Sequence, residues 1–159
     1  MVIEVTQVHR KKTNYFMTVK EAKALWTESK KWGSKWQLMF AFALLRGFRI
    51  GEICAINLLD FNEDFSQVYV ILEKSHIGDW FPLIPELQEM VRDYVLKNQH
   101  TLKDGWLFPS WNSGKHKRIK PNVASALFSK LRKQIDCEGF REFTGSGSQK
   151  RYRISWHSC

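Results

Sequence analysis

The chain has 159 residues with 43% hydrophobic and 26% charged content, the proportions of a single soluble globular domain with one core. Lysine and arginine outnumber aspartate and glutamate by 25 to 16, and the resulting net charge of +9 favours a polyanionic partner, nucleic acid first. There is no apolar run of about eighteen residues and no signal-peptide pattern, which points away from membrane and export. The three cysteines, Cys54, Cys137 and Cys159, are widely spaced without a Cys-x-x-Cys pair, which argues for reduced intracellular thiols and against a metal site. Seven Trp and eleven Phe predict a core whose burial comes largely from aromatic rings.

Residues 1–14 alternate weakly at Val2, Ile3 and Val5, then turn basic at His9, Arg10, Lys11 and Lys12, as an N-terminal arm or the remnant of a linker would. Thr18 opens a helix, with Glu21 three residues on as its capping box and Val19, Ala22, Leu25 and Trp26 as its apolar face. Lys30 to Lys35 is a basic turn around Gly33, and Ser34 is the expected N-cap of a helix over Lys35–Arg46. That helix is apolar almost all round, so it belongs in the centre of the core. Gly47 breaks it. A second short helix follows, with Ile50, Ile53 and Cys54 on one face. Arg49 and Glu52 stand three apart at its N-terminal end, where a guanidinium held by a carboxylate beside free N–H groups makes a phosphate-binding corner. An ordinary surface Arg–Glu pair has the same spacing.

Beyond Asp60, Asn62 to Ser66 reads as a polar turn and VYVILEK as a strand. Ser75 to Asp79, containing Gly78, is the next turn and Trp80–Leu83 the returning strand, which puts Lys74 at the end of the first strand. Pro85 opens another helix, with Leu87, Met90, Val91, Tyr94 and Val95 on its apolar face. The run from Gly114 to Lys120 holds Lys115, His116, Lys117, Arg118 and Lys120, and reads as a solvated or phosphate-tracking loop. Pro121 begins an amphipathic helix with Val123, Leu127, Leu131 and Ile135 on one side and Lys130, Arg132 and Lys133 elsewhere. Gly145 to Ser148 is a flexible tract, and QKRYRISWHSC follows it.

RGFRIGEICAINLLDF, from Arg46 to Phe61, resembles the box I segment of the tyrosine recombinases, the phage integrase family, which is usually close to TGLRISELLALRWSDI. Glycine, arginine, isoleucine, glutamate, alanine and aspartate fall in register without a gap. MTVKEAKALWTES is similar to the family's LTxEExxxLL opening helix, and GWLFPSW to its xxLFp segment, a short buried element before a loop. The hairpin resembles the family's KTGKxRxVPL, because Lys74 stands eight residues before Pro82. The second basic residue of that pattern is missing, and His76 and Asp79 occupy the region instead. SWHSC fits the opening of box II, His-x-x-Arg, with His157 as the histidine and the arginine one position past Cys159. The other register, with Arg153 as the second arginine, needs a histidine where Lys150 stands.

The resemblance implies an α+β, mainly α-helical fold: an integrase-like catalytic domain with a small antiparallel hairpin at one edge. It spans 1–159 as a single partial domain, without the family's separate core-binding domain. In function it implies site-specific recombination of double-stranded DNA, with copies associating on DNA in the full-length protein, no membrane, and an intracellular role in a phage or mobile element. Arg49 matches the first catalytic arginine, Glu52 the supporting acid, Lys74 the lysine that reaches the cleaved phosphate and His157 the assisting histidine. Lys115, Lys117, Arg118, Lys120, Lys130, Lys133, Arg151 and Arg153 are the corresponding DNA contacts.

In that chemistry a tyrosine attacks phosphorus and leaves a 3′-phosphotyrosine, while arginine forks stabilise the extra negative charge of the transition state. The lysine protonates the departing 5′-oxygen, the histidine assists, and no metal or cofactor is needed. Tyr15, Tyr69, Tyr94 and Tyr152 all precede the end of box II, so none fits the nucleophile. The polypeptide as it stands is therefore expected not to cleave DNA alone. Two other classes stay open: a non-catalytic DNA-binding or regulatory protein that retains the fold, and a basic helical module for RNA or a protein partner.

Overall fold

The computed structural model describes residues 19–112 and 115–134, built as three helices, a hairpin, a helix, a second hairpin and a last helix. Residues 1–14, Thr18, Gly145 to Ser148, Arg151, Arg153 and His157 lie outside the described residues.

Helix α1 spans Val19–Ser29 and buries Ala22 and Leu25, with Trp26 partly covered. Val19 belongs to the predicted face but remains exposed. A single 3-10 turn, Lys30–Trp32, then leads to Gly33, whose φ of +100° is one that a side chain disfavours. Helix α2 covers Ser34–Arg46, with Ser34 as its first helical residue rather than its cap, because Gly33 already makes the change of direction. All residues from Leu38 to Leu44 are buried, so α2 is the central helix that its all-round apolar sequence requires. Its C-terminus closes on Gly47, which adopts φ +65° and donates its N–H to the Ala43 carbonyl at 3.1 Å. Helix α3, Ile50–Cys54, follows at once.

Strand β1, Gln67–Ile71, pairs antiparallel with β2, Gly78–Pro82, and Val68 and Val70 face inward. The first strand is shorter than VYVILEK suggests, so Lys74 lies in the turn and not at a strand end. Helix α4, Pro85–Lys97, buries Leu87, Val91 and Tyr94. Strands β3, Pro109–Asn112, and β4, Lys115–Arg118, form a second antiparallel hairpin where a loop was expected. Its base is stitched to the core by Leu58 N–H to Gly105 carbonyl, Leu107 N–H to Ile56 carbonyl and Ile119 N–H to Phe108 carbonyl, at 2.7, 3.1 and 3.0 Å. Such tertiary pairing lets a strand form from cations that carry no apolar alternation. Helix α5, Pro121–Gln134, turns inward through Ala124, Phe128 and Leu131. Of the face predicted through Val123, Leu127, Leu131 and Ile135, Leu131 is buried as expected, while Ala124 and Phe128 take the places of Val123, which is 45% exposed, and Leu127. Ile135 lies outside the described residues.

Aromatic rings connect these layers. Tyr94, Phe108, Phe42, Phe48 and Phe81 form successive pairs with centroids 5.2–6.2 Å apart, two of them edge-to-face. Each such pair contributes about 1 kcal/mol beyond its burial. The series runs from α4 through α2 to β2, so the first hairpin is fastened to the central helix by rings. Arg46 lies over both Phe48 and Phe81, 5.7 and 5.4 Å from their centroids. Among the described residues no helix is long and apolar enough to cross a membrane.

Candidate functional site

Gly47 lets the chain leave α2 sharply, and the buried Phe48 anchors the next step. Arg49 then adopts an extended conformation (φ −72°, ψ 155°) as the residue that caps α3. Three residues on, Glu52 is only 5% exposed, and its Oε2 accepts the backbone N–H of Arg49 at 2.8 Å. Its Oε1 accepts the backbone N–H of Glu73 at 3.0 Å, from the turn of the first hairpin. One buried carboxylate thus joins the start of α3 to the residue just before Lys74.

This corrects the arrangement expected from spacing. Arg49 lies outside the helical turn, so Glu52 does not hold its guanidinium; it holds the backbone on either side of the site. Among the described residues neither Arg49 nor Lys74 has a carboxylate partner. With both Glu52 oxygens occupied by N–H groups, the two cations remain available to an anion.

The turn that carries Lys74 is itself closed. Leu72 N–H donates to the Ile77 carbonyl at 3.0 Å and His76 N–H to the Leu72 carbonyl at 2.8 Å, with His76 held at φ +55°. The Glu73 carboxylate folds over Gly51, where an added Cβ would stand 1.7 Å from its Oε1. Glycine at 51 therefore gives the hairpin turn room to approach α3.

The second hairpin reaches the same short helix. The Cys54 thiol is fully buried, and burial pushes its pKa up to about 11; the nearby Arg118 and Lys35 cations pull it back while Glu73 adds to the rise. Lys35, at the start of α2, donates from Nζ to the Pro109 carbonyl and lies over the Trp36 ring. Burial holds its pKa below the ordinary lysine range, and the Cys54 thiol acts in the opposite sense. Arg118 stands over the Trp106 ring, 5.9 Å from its centroid. Lys35 was not among the residues expected to matter; in sequence it is one of several lysines in a basic turn, and only the tertiary contact with Pro109 singles it out.

Of the remaining expected residues, Lys117, Arg118 and Lys120 are exposed on and just after β4, and Lys115 begins that strand. Lys130 and Lys133 are exposed on α5. Tyr94 is buried, its hydroxyl donates to the Leu107 carbonyl at 3.0 Å, and burial raises its pKa to about 12, so its role is structural. Among the described residues no three His, Cys, Asp or Glu side chains gather to hold a metal.

Solved structures of recombinases and integrases share this fold. XerA recombinase superposes with a TM-score of 0.63 at 18% identity, over 77% of this chain and 44% of its own. The lambda integrase catalytic core gives 0.59 at 16%, over 76% of this chain and 70% of the core. A lambda integrase tetramer bound to a Holliday junction gives 0.59 at 17%, over 76% and 35%. The chain thus spans less than half the length of XerA recombinase and of that lambda integrase. No curated protein matches it by sequence. The sequence model of the phage integrase family, however, matches residues 15–150, a span that takes in every helix and strand described above. The chain belongs to the phage integrase family.

Proposed function

We propose that this chain is the DNA-gripping part of a tyrosine recombinase catalytic domain, in which Arg49 and Lys74 hold one phosphate of double-stranded DNA. The observation that carries this is the Glu52 carboxylate, which ties Arg49 and the Lys74 turn together through their backbones and leaves both cations uncompensated. A phosphate passing through a pentavalent transition state gains negative charge on its nonbridging oxygens, and a preorganised guanidinium answers that charge without reorganising. Lys74, exposed on a closed turn, is suited to deliver a proton to the departing 5′-oxygen. His157 would assist and Glu52 acts as the positioning residue. Lys115, Lys117, Arg118, Lys120, Lys130 and Lys133 would track neighbouring phosphates, together with Arg151 and Arg153. Copies of the protein would associate on DNA, as in the lambda integrase tetramer.

Duplex affinity over a salt series tests this. Arg49→Ala and Lys74→Ala should each weaken binding and reduce the slope of log K against log salt by about 1. Indifference of the chain to duplex DNA at low salt would sink the proposal. Whether the parent gene encodes an arginine just after Cys159 and a tyrosine later separates a recombinase from a regulatory protein that retains the fold.

A further inference from the structure

The first hairpin has two faces of different character. Its inner face, Val68, Val70 and Phe81, packs on the core. Its outer face would ordinarily be polar in a two-stranded sheet open to water, yet Tyr69, Ile71 and Trp80 stand there at 37%, 60% and 47% exposure. Ile77, in the turn, is 65% exposed, and Pro82 ends the row beside Gln67. Tyr69 and Trp80 are direct cross-strand partners, with ring centroids 5.5 Å apart and planes at 65°, and Tyr69 also covers Gly78, where no side chain would fit beneath it. The rings therefore fix one another before any partner arrives, which lowers the entropy lost on binding.

The hairpin's two carboxylates are each engaged by the protein itself. Asp79 is paired with Val70, on the side of the ribbon away from the rings, and its exposed carboxylate accepts the Trp80 backbone N–H at 2.8 Å, while Glu73 is folded over Gly51. In sequence the nearest cation is Lys74, three residues from both Ile71 and Ile77. An apolar surface whose neighbouring carboxylates are already engaged, on the same hairpin as the lysine proposed to hold a phosphate, suits a strand of nucleic acid, whose sugar rings offer C–H faces between phosphates. Strand β1 runs ~13 Å at about 3.3 Å per residue, a reach of roughly four base-pair steps along the duplex axis.

We propose that the outer face of the hairpin packs against the deoxyribose rings of the strand whose phosphate Arg49 and Lys74 hold, adding a salt-independent contact to a cationic one. This rests on the DNA-binding reading above. Apolar contacts change affinity without releasing counterions, so their signature differs from that of a lysine.

The test uses the full chain and mixed-sequence duplex DNA, with affinity measured by fluorescence anisotropy over a salt series. Two variants remove the surface: Trp80→Thr, and the pair Ile71→Thr with Ile77→Thr. Threonine suits a strand, and both isoleucines are too exposed to support the fold. Each variant should bind about tenfold more weakly at every salt concentration with the slope unchanged, whereas Lys74→Ala lowers the slope. Should Trp80→Thr disturb folding, the isoleucine pair decides alone. Unchanged affinity in the apolar variants overturns the proposal, as does a loss that comes with a flattened slope. A change of oligomeric state with DNA affinity intact also overturns it and assigns the face to a second copy. If the apolar variants bind normally while Lys74→Ala still lowers the slope, only this inference fails; if none of the variants matters, the DNA-binding reading fails as well.

Discussion

The two hairpins of this domain have similar lengths and the same antiparallel pairing, but they are held in opposite ways. The first has an apolar inner face on the core, and its far end, the turn, is tied to α3 by the buried Glu52 carboxylate. The second is fastened at its base, through Phe108, Pro109 and Ile119, and its returning strand is almost wholly cationic. A ribbon pinned at its tip can hold one side chain, Lys74, in a defined place. A ribbon pinned at its base presents exposed charges such as Lys117 and Arg118, the latter over the Trp106 ring, without tying its far end to the site. This division suits a site in which one phosphate undergoes reaction and its neighbours are merely followed.

Removing the tip's tie should break the comparison most severely. Glu52→Ala leaves two partly buried N–H groups, of Arg49 and Glu73, without their acceptor and removes the buried carboxylate that links them, and each such loss costs about 1–3 kcal/mol. A total of about 3 kcal/mol is expected in urea denaturation. Glu52→Gln keeps one acceptor, so its loss should be smaller. If Glu52→Ala unfolds no more easily than the wild type, the tie is not what positions Lys74.

Different parts of this plan were legible to different degrees. The central helix was readable because seven successive residues from Leu38 to Leu44 are apolar or small and lead straight into Gly47. The first hairpin was readable because Val68 and Val70 alternate with exposed positions and a glycine-containing turn follows. The second was not, because Lys-His-Lys-Arg has the pattern of a solvated loop and its pairing depends on Ile56, Leu58 and Lys35, far away in sequence. The roles within box I were half readable. The spacing of Arg49 and Glu52 correctly joins them, but the carboxylate accepts a backbone N–H, a choice set by Arg49 lying just outside the helix.

Alkaline pH probes the buried groups beneath the second hairpin. The pKa of Tyr94 is raised to about 12 in the folded chain, against about 10 when unfolded. Between those values the unfolded state has already lost its proton and the folded state has not, so stability falls as pH rises from about 10 to about 12. The fall should be on the order of 2 kcal/mol, and the difference in denaturation midpoint between wild type and Tyr94→Phe isolates it. Cys54, raised to about 11, acts in the same sense from about pH 9 upward. A flat difference curve would mean that Tyr94 is less enclosed than its contact with Leu107 indicates.

A smaller effect distinguishes the base of the second hairpin from the first. Lys35→Met keeps the aliphatic stem but removes the donor to the Pro109 carbonyl, a loss of about 1–2 kcal/mol. Amide hydrogen exchange should quicken around residues 106–119 and stay unchanged across β1 and β2. Equal quickening of both hairpins would show that they do not have separate anchors.

The smallest expected change in stability falls at Gly51. An alanine Cβ there meets the Glu73 carboxylate, which is the far end of a flexible side chain and can swing away. A helical Gly→Ala exchange gains up to about 1 kcal/mol, so Gly51→Ala should leave stability within about 0.5 kcal/mol of the wild type once that displacement is included. The displaced carboxylate has its consequence elsewhere, because it is released beside Lys74 and competes with phosphate for the amine. Duplex affinity at low salt should therefore drop severalfold in Gly51→Ala. Adding Glu73→Gln should restore it, since the backbone N–H that reaches Glu52 is untouched by the second change. Failure of that rescue would mean that Gly51 serves only the packing of α3 and has no part in keeping the anion site free of a competing charge.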